Sequence, residues 1–263
     1  MKLVDTHCHI HDMEFYPENR EDVYLRSREA GVVMLCVGTD IRSSREAVEF
    51  CANHEGTFPV VGIHPHEAKD NDPDVIRTLV EKNRAQIIGI GEIGLDYFYD
   101  HSPRDDQARV LRAQLEIARD YQLPVSFHVR DTSDASEVGA VWHDFWPIVD
   151  EFPEVNGVLH SFTDTQVNLD EALRRGLLIG INGISTFTKD VEQQRLYREL
   201  AIEKIVLETD APFLTPKPFR GKMNLPAYVG SVAGHQAEIK HLSLEEVSRI
   251  TTENARRIFG RQL

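Results

Sequence analysis

Three imidazoles, His7, His9 and His11, and two carboxylates, Asp5 and Asp12, crowd the opening stretch MKLVDTHCHIHD, at the end of an apolar run. In an extended strand alternate side chains share a face, so His7 and His9 point to one side and Cys8 to the other. Two imidazoles about 7 Å apart on one face pack poorly and ligate metal well. The same residue types recur along the chain: His64 and His66 in GIHPHE, Glu92 in GIGEIGLDY, His128 in FHVRD, His160 in LHSF and Asp210 in ETDAP. Glu92 is flanked by apolar residues and glycine, where an unpaired carboxylate is costly, so a cation is expected beside it.

The elements that must position these groups are legible as apolar, β-branched runs at 3–10, 32–39, 58–65, 87–96, 124–131, 156–163, 177–184 and 202–210. Helix-like stretches separate them, among them Arg42–His54, Pro73–Asn83, Asp105–Tyr121, Glu137–Glu151 and Val191–Leu200. Trp142 and Trp146, four residues apart in one of these, are read as core. Eight apolar runs alternating with helices favour a single (β/α)8 TIM barrel over an open sheet, spanning residues 1–263 as one domain. The Pro-rich segment 208–226 after the eighth run is expected to be an active-site loop. Beyond it, Ser243 and Glu246 have capping-box spacing, and two helices are expected up to Gly260.

In such a barrel chemistry sits at the carboxyl ends of the strands. His7 and His9, His64, Glu92, His128, His160 and Asp210 fall at that end of six strands. The donors exceed what one tetrahedral catalytic zinc needs. Two divalent metals fit better: His7, His9 and Asp210 on one, His128 and His160 on the other, and Glu92 between them. Asp210 could also cap the following loop. For His64 and His66 a phosphate contact, a hydrogen bond to a ligand and a plain loop imidazole stay open. His11, His54, His101, His143, His235 and His241 lie outside the pattern and are read as surface or helix-face residues.

The motifs DTHCHIHD, GIHPHE, GEIGLDY, FHVRD and ETDAPFLTPKPFRGKMNLPAYV, in this order and spacing, resemble the TatD-type metal-dependent deoxyribonucleases of the amidohydrolase-like barrels. The resemblance runs from Val4 to the NARRIF segment. It implies a TIM barrel with its active site at the carboxyl ends of the strands. It also implies metal ligands at His7, His9, Glu92, His128, His160 and Asp210, with Glu92 and Asp210 as the catalytic carboxylates. The fourth strand offers Glu92 and no lysine, which suits this branch of the barrels. Asp164 stands where many relatives have glycine, and Met223 and Leu225 where they commonly have a basic and an acidic residue.

The implied reaction is hydrolysis of DNA phosphodiesters by water activated on two divalent ions (Mg, Mn or Zn), trimming single-stranded 3′ ends in the 3′–5′ direction. His64, Arg130, Arg220 and Lys222 are candidate substrate contacts, and Tyr97, Phe98 and Phe213 are either stacking surfaces for an unpaired base or loop anchors. The alternative is the same dinuclear centre acting on a small-molecule ester, amide or lactone. A metal-loaded binding protein without turnover is a third reading. Net charge is −14, from 43 acidic against 29 basic residues, which argues against a broad duplex-binding face. No run is long enough for a membrane span. Three cysteines without a CxxC suggest neither a disulfide framework nor a zinc finger, and fit a reducing cytoplasm. A monomer is expected.

Overall fold

The computed structural model describes residues 2–99, 101–260 and 262–263. Eight parallel strands form one sheet in chain order: β1 (Leu3–Cys8), β2 (Val32–Val37), β3 (Thr57–Val61), β4 (Gly89–Asp96), β5 (Val125–Arg130), β6 (Gly157–Leu159), β7 (Leu178–Ile181) and β8 (Ile205–Leu207). They alternate with helices α1 (Arg20–Glu29), α2 (Ile41–Asn53), α3 (Pro73–Lys82), α4 (Arg104–Tyr121), α5 (Ala140–Asp150), α6 (Gln166–Arg174), α7 (Val191–Glu199), α8 (Val229–Lys240) and α9 (Leu244–Phe259). The architecture is the expected (β/α)8 barrel. No helix among the described residues is long and apolar enough to cross a membrane.

Every expected strand exists and is shorter than its run, and β3 begins one residue earlier, at Thr57. β6 and β8 stop at Leu159 and Leu207, and the residues that follow at once, His160 and Glu208, stay buried and still donate their N–H groups to Phe127 O and Ile181 O. Trp142 and Trp146 are buried and stacked 5.2 Å apart on α5, as core. The tail differs from expectation. Residues 244–259 form one continuous helix, started by the Ser243–Glu246 capping box, and a separate helix, α8, precedes it. Gly230 and Gly234 weaken the helical signal of α8, and packing overrides them.

The chain gathers into two compact units, each built from separated stretches. Unit 1 comprises residues up to Cys36, His54–Thr57 and Ser161–Leu263. Within it β1 pairs with β2, and β7 with β8. Main-chain bonds from Asp210 N–H to His7 O and from His9 N–H to Ala211 O, both 2.9 Å, fasten the end of β1 to the segment after β8. The Lys240 ammonium donates to the carbonyls of Tyr197, Arg198 and Leu200, satisfying the last turn of α7.

Unit 2 comprises Val37–Asn53 and Phe58–His160. Here β3 pairs with β4, β4 with β5 and β5 with β6, and all eight residues of β4 are buried. Gly94 lies in register with His128, so close that a Cβ on it would stand 1.7 Å from the His128 carbonyl oxygen. That contact can be relieved only by moving β5 and its imidazole. Gly94→Ala should therefore destabilise the fold by at least ~3 kcal/mol, read from urea unfolding.

Candidate metal centre

In unit 1, β1 places His7 at its end and His9 one step beyond, both buried, with ring centroids 5.1 Å apart. The bonds between β1 and the segment after β8 bring the Asp210 carboxylate 3.9 Å from His7 Nε2 and 3.3 Å from His9 Nε2. Asp5 stiffens this junction. Its carboxylate accepts from the Thr209 N–H at 2.9 Å and hydroxyl at 2.5 Å, and from the His7 N–H at 3.3 Å. Burial pushes the Asp5 carboxyl up to about 8, against those hydrogen bonds. Cys8 points elsewhere, its thiol 3.4 Å from the Leu35 carbonyl oxygen.

His11 is a correction: it is fully buried rather than at the surface. The chain turns sharply after β1, with Asp12 N–H bonded to His9 O and Tyr16 N–H to Asp12 O, and this tucks His11 in 6.4 Å from the His9 ring. His143 and His241 are exposed, and His54 and His235 are partly covered.

The late loop, expected to border the site, has no regular structure from Thr209 to Leu225 apart from its bridge at Ala211. It is tied down by Asn224, whose amide donates to Thr209 O at 2.9 Å and Phe213 O at 2.5 Å. Arg220 donates to Thr215 O at 2.9 Å and lies 3.9 Å over the Phe187 ring, whereas Lys222 is simply exposed. Phe213 is exposed and packs edge-on against Phe15 at 5.1 Å.

In unit 2, β4 and β5 converge on a second cluster. Glu92, His64 and His160 are buried. The His128 ring lies between two carboxylates, Nδ1 at 2.8 Å from Glu92 Oε1 and Nε2 at 2.9 Å from Asp96 Oδ2. His66 Nε2 reaches the same Asp96 oxygen at 3.0 Å. His64 accepts the His66 N–H on Nδ1, which turns its Nε2 toward Glu92, 3.8 Å from Oε1. His160 Nε2 is also 3.8 Å from that oxygen. Asp96 is not among the residues that the sequence pattern singles out. The signal was present, because Asp96 is four residues beyond Glu92 in one strand and therefore shares its face.

Burial works to lower the His128 pKa, but hydrogen bonds to Asp96 and Glu92 outweigh it and push the imidazole up to about 9. Burial would raise Asp96, yet the His128 and His66 imidazoles hold it well below the usual carboxylate range. Burial, and then the charge of His128, lower His64 well below the ordinary histidine value. His64 therefore offers a neutral ring, the state in which imidazole binds metal.

The donor set fits divalent cations. Separations of 3.8–3.9 Å between imidazole nitrogens and carboxylate oxygens are too long for hydrogen bonds. Two ligand atoms on one tetrahedral ion stand roughly 3.4 Å apart, close to what is seen in each cluster. Nitrogen and oxygen donors of His64, Asp96 and His128 also lie within 4.8 Å of one another.

Of the other expected contacts, Tyr97 is an anchor: buried, it donates its hydroxyl to Asp144 at 2.7 Å and carries Arg104 4.1 Å over its ring. Phe98 is exposed, and Arg130 lies 4.0 Å over it.

A (β/α)8 barrel with buried imidazoles and carboxylates at the carboxyl ends of its strands defines a metal-dependent hydrolase. The sequence matches the profile of the TatD related DNase family over residues 4–260. It is 34% identical to YabD, an uncharacterized metal-dependent hydrolase of Bacillus subtilis, over 98% of both chains. It is 33% identical to the 3′-5′ ssDNA/RNA exonuclease TatD of Salmonella typhimurium, over 93% of this chain and 94% of that one. The solved structure of YjjV, a TatD homolog from Escherichia coli K12, superimposes with a TM-score of 0.85 at 24% identity, covering 98% of this chain and 97% of the other. The chain belongs to the TatD related DNase family.

In metal-free protein His128 should titrate near 9 by imidazole NMR. Its raised pKa means that its charge pairs stabilise the fold fully below about 6.5, with that contribution lost as pH rises through 9. Metal uptake should release a proton and weaken with acidity, measurable by calorimetry in buffers of different ionisation enthalpy.

Proposed function

We propose that this protein is a deoxyribonuclease that removes nucleotides from single-stranded 3′ ends in the 3′–5′ direction. Its centre would be two divalent ions, Mg, Mn or Zn, with His7, His9 and Asp210 on one, His128 and His160 on the other, and Glu92 between them. The supporting observation is the buried Glu92 carboxylate, which has the His128 ring at 2.8 Å and two further imidazole nitrogens at 3.8 Å. A relative 33% identical and named an exonuclease on single-stranded DNA and RNA adds the substrate class.

Bound ions of this kind supply a nucleophile from water near neutral pH and offset charge building on phosphate oxygens. The chain's own groups do the rest. Asp210, held by the main-chain bond to His7, presents a carboxylate that can take a proton from the attacking water. Arg130, Arg220 and Lys222 supply cations for the phosphates, and Arg220 is already oriented by its bond to Thr215. The net charge of −14 favours a short single strand over a duplex lying across the surface. The chain is read as one hydrolase domain acting as a monomer in the cytoplasm, where Cys8, Cys36 and Cys51 stay as the thiols seen here.

Metal analysis combined with turnover of a single-stranded oligonucleotide, before and after chelation and stepwise metal return, tests the proposal. Turnover of a small ester, amide or lactone with none of the oligonucleotide would overturn it. Glu92→Gln keeps the shape but removes the charge that offsets two dications. It should fold, hold metal weakly and cleave at least ~10²-fold more slowly. Full two-metal occupancy with near-normal turnover would rule out the bridging role. Replacing Arg220 and Lys222 with alanine should raise KM and flatten the salt dependence by about one to two counterions, with metal content kept.

A further inference from the structure

We propose that Phe98 and Tyr99, with Arg130 against both rings, form a stacking platform for one unpaired base of the substrate strand, set in register with the His128 cluster by Asp96. This inference rests on the nuclease reading and specifies how that site takes hold of a single strand.

The two rings follow β4 directly and pack edge to face, centroids 4.8 Å apart at 76°, so that one ring presents its face and the other flanks it, with 41% and 42% of their residue surfaces in solvent. The loop that displays them is firmly built. Asp96 Oδ1 accepts the N–H groups of both Phe98 and Tyr99, at 2.9 and 3.0 Å. The Gln107 side chain accepts the Asp96 N–H at 2.8 Å and donates to the carbonyls of Asp96 and Ser102 at 3.0 and 2.9 Å. Buried Tyr97 pins the loop from below through Asp144. None of these bonds uses the Phe98 or Tyr99 side chain, so polar side chains there would satisfy the loop equally well. Two large rings held rigidly in water serve something outside the fold.

The chemistry of the patch identifies its occupant. Arg130 lies 4.0 Å over Phe98 and 4.8 Å over Tyr99, and His101 stacks on Tyr99 at 5.6 Å and 25°. A guanidinium against aromatic faces keeps N–H groups for a phosphate, so flat π surface and anion site occur together. A nucleotide of a single strand offers both a π face and a phosphate. In a duplex that face is covered by its neighbours. Stacking of this sort is nearly indifferent to sequence, because every base has a π face.

Asp96 makes the platform part of the reactive centre. Its Oδ2 holds His128 and His66, while Oδ1 holds the backbone under the two rings. One carboxylate thus fixes the spacing from the cluster to the stacked base. A base is therefore needed at one defined position of the strand, whatever its identity.

The test uses metal-loaded protein and short oligonucleotides with non-hydrolysable terminal linkages, each carrying one abasic position stepped in from the 3′ end. Wild type should lose about tenfold in affinity when the abasic position coincides with the platform, and far less elsewhere. The Phe98→Ala/Tyr99→Ala protein should bind the intact strand about tenfold more weakly and show no further loss at that position. Phe98→Leu/Tyr99→Leu, which keeps apolar bulk without a π face, should behave like the alanine pair, and Phe98→Trp/Tyr99→Trp should restore the position-specific loss. An equal abasic penalty in wild type and the alanine pair overturns the platform and leaves the nuclease reading standing. A wild type with no affinity for single strands overturns the nuclease reading and the platform with it.

Discussion

β4 is buried along its whole length and yet carries two carboxylates, Glu92 and Asp96, on one face. An ionised carboxylate in such a place is sustainable only against a positive partner. Without metal that partner is His128, whose two ring nitrogens meet one oxygen of each acid. A protonated His128 is thus the cation that the two acids share. Gly94 makes the arrangement possible, since without a side chain at that point β5 comes near enough for His128 to reach across.

The barrel was legible in the sequence because strands of a parallel sheet covered on both faces are near-continuous apolar runs, and eight of them recur. The residues that gather in the two clusters were legible for a related reason. Histidine and carboxylate are conspicuous at the end of such a run. Asp96 lies inside the expected 87–96 strand, but nothing in a linear reading says that a carboxylate facing Glu92 will share its histidine. His11 was misread because its burial depends on a turn that only the folded chain makes. α8 escaped notice since two glycines and a weak apolar stripe conceal a helix that tertiary packing enforces.

Two loops, one in each unit, solve one problem in different ways. Each must present polar and aromatic groups to solvent without collapsing onto the barrel. The loop after β4 uses side-chain amide and carboxylate groups of Gln107 and Asp96 as internal braces. The loop after β8 uses Asn224, fully buried, together with the Tyr16 hydroxyl that donates to the Asn224 carbonyl at 3.0 Å. In both, a buried polar side chain substitutes for the missing secondary structure, so rigidity does not depend on a regular ladder.

The clasp between the two ends of the chain bears on the order in which the molecule can assemble. Ser248 and Thr252 on α9 both donate to the carbonyl of Lys2, at 2.8 and 3.1 Å, across nearly the full length of the sequence. The first strand, with its two histidines, is made well before the groups that lock it, which lie 246 and 250 residues further on. The residues of unit 2 are all synthesised by His160, whereas unit 1 must wait for the remainder. Contacts of such sequence separation close slowly. During synthesis His7 and His9 therefore exist long before Asp210, and the junction that holds all three closes only when the segment after β8 has been made.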